Sequence, residues 1–159
     1  MTGLVAAVLV GAGFSETVGR VLPLLVRRHG ASPGALARLL VAGTVVEAAV
    51  FALWPLAAGA LARVGGGAGV AVGTVSWTVA GALPLLLCAV LAFPLLGPAL
   101  HLAVIVGVGA GLADRLVAAG AGWWPAVGGV VAAAAGLALL LGGLRRVVAT
   151  VGARRVVPR

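Results

Sequence analysis

Residues 70–113 contain no Asp, Glu, Lys or Arg. Rolled into one helix they would be ~66 Å long, about twice what the hydrocarbon core of a bilayer accommodates. The run must therefore fold back on itself. Phe93-Pro94-Leu95-Leu96-Gly97-Pro98 supplies the break, because two prolines and a glycine penalise helix continuation. With 63% hydrophobic and 9% charged residues and a mean hydropathy of +1.26, the 159-residue chain is far more apolar than a soluble domain of similar length. It reads as an all-α, polytopic transmembrane helical bundle.

Further spans follow from the same argument. The first apolar stretch covers residues 3–26 and no basic residue precedes it, whereas Arg27-Arg28-His29 follow it. A secretory signal has the opposite polarity, so the stretch is expected to be a retained span with its N-terminus outside. Ser32-Pro33 pairs an N-cap with a proline at the first helical position and predicts a second helix, its lipid-embedded part near 39–62. The glycines at 65–69 read as a turn. Spans near 70–92 and 95–113 flank the proline break, and Asp114-Arg115 opens a loop that reaches Gly122. Trp123-Trp124-Pro125 then starts a last span to about 143, with two indoles where an interfacial belt belongs.

All 11 basic residues are Arg, and all but Arg20 sit at or near the ends of the apolar runs. Nothing aromatic alternates with them, so the net charge of +8 signals topology and anionic lipid rather than nucleic acid. An odd number of spans places Arg27, Arg28 and Arg38 on the same side as the basic tail, 145–159. Five spans are thus expected, with the C-terminus cytoplasmic, in one domain over residues 1–144 of a protein of the inner (plasma) membrane. The tail would meet anionic headgroups. Stripes of small residues, Gly65, Gly69 and Gly73, Ala103, Gly107 and Gly111, and Gly128, Ala132 and Gly136, are spaced for close helix packing within a homo-oligomer or against a partner membrane subunit.

Against this background a few polar side chains stand out. Counted from the cytoplasmic ends, Glu16 lies ~15 Å deep, Arg20 ~9 Å, Glu47 ~12 Å and His101 ~9 Å. Glu16 and Arg20 are spaced i, i+4 and can pair on one helix face. Glu47 on the antiparallel neighbour is placed to meet the other side of the guanidinium, whose planar fork serves two carboxylates. Two carboxylates and one guanidinium leave one negative charge in excess, which a proton, His101 or a bound cation must balance. Such a competition is the physical kernel of proton-coupled transport, and intramembrane ionisable residues are functional candidates by default. Ser15, Thr17, Thr44, Ser76 and Thr78 are expected to bond back to their own helices.

No catalytic constellation is evident, and no enzyme is expected. Asp114 beside Arg115 reads as a surface ion pair. Cys88 has no second cysteine in the chain, and with His29 and His101 far apart no metal site is expected. Gly107-Val108-Gly109-Ala110-Gly111 lacks the preceding strand and the spacing of a dinucleotide fingerprint, so no cofactor is expected either. The expectation is a small bacterial transporter or channel protomer built around Glu16, Arg20, Glu47 and His101. The alternative is a non-catalytic subunit or assembly factor of a larger membrane complex, its buried charges acting as a lock.

Overall fold

The computed structural model describes residues 2–27, 32–66, 75–92 and 97–154. Among them are five helices and no strand: α1 (Gly3–Arg27), α2 (Pro33–Val64), α3 (Val79–Ala92), α4 (Gly97–Ala118) and α5 (Trp123–Arg154). The proline break at 93–96, the Arg28-His29 loop, most of the glycine-rich turn and the last five residues of the tail lie outside the described residues.

The helix signals at Ser32-Pro33 operate as written. The Ser32 hydroxyl accepts from the Ala35 amide and Pro33 occupies the first turn, where its missing N–H costs nothing. Three boundaries differ from the sequence expectation. α3 starts at Val79 and not near residue 70, because residues 75–78 run outside any helix and Thr78 caps its first turn. Asp114 and Arg115 belong to α4, not to a loop, because Leu, Val and Ala around them keep the helix favourable until Gly120. There the chain turns at φ +99°, and the amides of Gly120 and Ala121 bond the carbonyls of Val117 and Leu116, a Schellman closure that a glycine permits. The start of the basic tail is likewise no separate segment, since α5 continues through Arg145 and Arg146 to Arg154.

Packing closes the helices into a ring. α1 packs on α2 and α3, α2 on α5, α5 on α4, and α4 on α3, so the order around the bundle is α1, α2, α5, α4, α3, with a slight touch of α2 on α4 across the middle. The core gathers Val5, Leu9 and Ala12 of α1, Trp54, Ala58 and Ala62 of α2, Leu112 and Leu116 of α4, and Val130 of α5. Among the described residues two helices, α2 and α5 over Trp123–Leu144, are long and apolar enough to cross a membrane, yet only 17% of each apolar window is buried. Much of their surface is apolar and exposed, including Val41, Val45, Leu139 and Leu140.

One polar device ties the core together. Pro55 lies inside α2 and has no N–H for the Phe51 carbonyl one turn back. The Trp77 indole donates to that carbonyl at 2.7 Å. Trp77 in turn meets Trp54 edge-on with ring centroids 6.4 Å apart, and the Trp54 indole donates to the Val130 carbonyl of α5 at 3.2 Å. A proline's lost bond is thereby replaced by a contact 26 residues away in sequence, which pins the segment before α3 to α2.

Candidate functional site

Glu47 sits on the buried stripe of α2. Its companions there are Trp54, Ala58 and Ala62, spaced by seven and four residues, the repeat of one helix face. It is 5% exposed, a carboxylate turned into the bundle. Glu16 on α1 is half-buried. Both carboxylates interact with neighbouring groups.

The α1–α2 seam fixes where they lie. A Cβ at Gly13 would stand 2.7 Å from the Ala48 amide nitrogen and 2.9 Å from the Thr44 carbonyl oxygen, while Gly43 is covered by the Thr17 side chain. Backbones can approach this closely only without side chains between them. Gly13 is thus level with Thr44 to Ala48, and Thr17 with Gly43. In this antiparallel register the Glu16 and Glu47 backbones are offset by only ~4.5 Å along the axis, at 1.5 Å per residue. Helical side chains lean toward their own N-terminus, so in antiparallel helices the two glutamates lean toward each other.

The remaining polar candidates divide. Thr17 and Thr44 donate to the carbonyls of Gly13 at 2.8 Å and Leu40 at 2.7 Å, satisfied within their own helices as expected. The backbone of Arg20 lies one turn beyond Glu16 on α1, ~10 Å along the axis from the level of Glu47; its side chain lies outside the described residues. His101 is on α4, which makes no packing contact with α1 among the described residues, and its side chain too lies outside them. The seam therefore sets the Glu16 and Glu47 backbones at nearly one level.

Ser76 and Thr78 differ from expectation: they precede α3 and do not bond back within a helix. The Thr78 hydroxyl accepts from the Gly81 amide as the cap of α3 and also from the Arg115 guanidinium at 2.8 Å, which reaches the Ser76 carbonyl at 3.4 Å. Arg115 thus turns to the segment before α3 and not to Asp114. This contact had no sequence signal, since the partners are 37 and 39 residues apart.

Two of the small-residue stripes, those of α4 and α5, are not seams within this bundle. Gly107, Gly111, Gly128 and Gly136 have nothing within 4 Å of a built Cβ, whereas Gly129, one residue off its stripe, would press a Cβ to 2.5 Å from the Ala58 carbonyl. Gly69 and Gly73 lie outside the described residues. No group of three or more His, Cys, Asp or Glu side chains is placed to hold a metal among the described residues. No family model, curated protein or solved structure matches this chain.

Proposed function

We propose that the protein is a five-span membrane protein of the inner (plasma) membrane that moves a proton or small cation, with Glu16 and Glu47 as the exchanging pair, assisted by Arg20 one turn along α1. The observation that carries this is a carboxylate, Glu47, 5% exposed on the interior stripe of an apolar helix and level with a second carboxylate across a close seam. Two carboxylates at nearly one level across the seam offer paired oxygens that a proton or a small cation can occupy in turn, and ionisable groups inside a membrane bundle are functional candidates by default. The membrane reading is supported by α2 and α5, whose apolar windows are mostly exposed; buried core helices of a soluble domain would show the reverse, and apolar patches this extensive mark a lipid or protein partner.

The test is flux in proteoliposomes, with an imposed gradient and a pH-sensitive dye. Wild type is expected to acidify or alkalinise the lumen faster than empty vesicles, and Glu47→Gln to lose roughly tenfold or more of that rate, as expected when a proton-carrying group is removed. Equal flux in wild type and empty vesicles sinks the proposal.

A second reading is favoured by the closeness of the seam at Gly13: the carboxylates and Arg20 form a lock that orients α1 on α2 in a subunit of a larger membrane complex. Under it, Glu47→Gln destabilises the fold, native purification with cross-linking returns other chains, and no flux is found in any variant.

A further inference from the structure

A second region lies away from the glutamates, between α3 and α4. Trp77 and Pro84 stand on one wall and Val104, Gly107, Val108 and Gly111 on the other, with Arg115 at one end, around a partly open groove of about 460 Å³. That volume is within the range of sites for small organic ligands. Gly107 and Gly111 leave its floor open, with no atom within 4 Å of where their Cβ would be. From Val104 to Arg115 the α4 wall rises ~16 Å, about one leaflet of a ~30 Å hydrocarbon core. Arg115 is half-buried. It spends two contacts on Ser76 and Thr78, neither of which carries charge, and no described carboxylate neutralises it. A guanidinium has five donors, and its planar fork suits phosphate.

We propose that this groove holds one anionic phospholipid, its phosphate on Arg115 and one acyl chain lying over Gly107 and Gly111 against Val104, Val108 and Pro84. The assignment rests on the membrane reading above but not on transport. A free phosphate would use the guanidinium and leave the apolar walls wet, whereas an uncharged chain would leave the charge unanswered. A lipid answers both.

The experiment has two stages. Flotation of the purified protein with vesicles tests the membrane reading alone; protein left in the dense fraction overturns that reading and this proposal with it. Floating protein is then extracted from vesicles of equal phosphatidylglycerol and phosphatidylcholine content and weighed by native mass spectrometry. Wild type is expected to retain one phosphatidylglycerol with at least about fivefold preference, the order of one charge-assisted contact. Arg115→Gln should bring the preference to parity. Gly107→Leu should abolish retention while floating as before. The proposal is overturned if Arg115→Gln keeps the preference or if excess inorganic phosphate displaces the adduct. It is overturned equally if the spectra show a dimer that Gly107→Leu dissolves, since a second copy would then occupy the groove.

Discussion

Two glycine-bearing seams of this bundle, α1–α2 and α3–α4, use the missing side chain in opposite ways. Between α1 and α2, Gly13 lets the backbone of Ala48 come to 2.7 Å of the Cβ it lacks, whereas between α3 and α4, Gly107 and Gly111 face open space. The first is a contact surface with carboxylates beside it. The second is an open groove with a guanidinium at its end. A glycine in an apolar helix therefore records only that a side chain is absent; what stands opposite decides whether this serves contact or room.

The largest expected effect tests the distinction directly. Gly13→Leu drives a side chain into the Thr44 to Ala48 backbone, which cannot rotate away, and should cost about 3 kcal/mol or more, read as lost or sharply lowered thermal unfolding by circular dichroism in detergent. Gly107→Leu should be neutral or stabilise by up to about 1 kcal/mol, because leucine is the better helix former. Similar losses from the two substitutions would abolish the contrast between the seams.

Next in size is Trp77→Phe, which asks whether the groove has a fixed wall. Removing the indole N–H orphans the Phe51 carbonyl and should cost about 1–3 kcal/mol. Pro55→Ala returns an amide to the same carbonyl, so Trp77→Phe should cost markedly less in that background. A double-mutant cycle with no coupling would refute the assignment of Trp77 as the donor that replaces Pro55.

These contacts also mark what the sequence could and could not reveal. Ser32-Pro33 starts α2 through an interaction three residues away, and local chemistry of that range is legible. The burial of Glu47 within the bundle was legible too, since a carboxylate in an apolar run must find an interior. The extent of α4 was not: a charged pair followed by small residues looks like a loop, and only the closure at Gly120 shows that the helix passes through Asp114 and Arg115. Nor was the choice between Gly128 and Gly129 legible, because a one-residue shift turns the contact by about 100° around α5. The ring order, which sets α4 apart from α1, follows from pairings between distant segments that no spacing encodes.

The smallest effect bears on the polar character of the α1–α2 seam. Thr17 offers two things there: a hydroxyl that donates to Gly13 and a methyl that covers Gly43. The Gly13 carbonyl sits inside a helix and keeps its backbone partner, so the hydroxyl adds a second donor to an acceptor already served. Thr17→Val keeps the volume and should shift stability by no more than about 0.5 kcal/mol, whereas Thr17→Ala uncovers Gly43 and should cost about 1 kcal/mol. If the order is reversed, with valine the more damaging, the seam depends on its hydroxyl. Thr17 would then belong with Glu16 and Glu47 as part of the polar site instead of the packing that positions it.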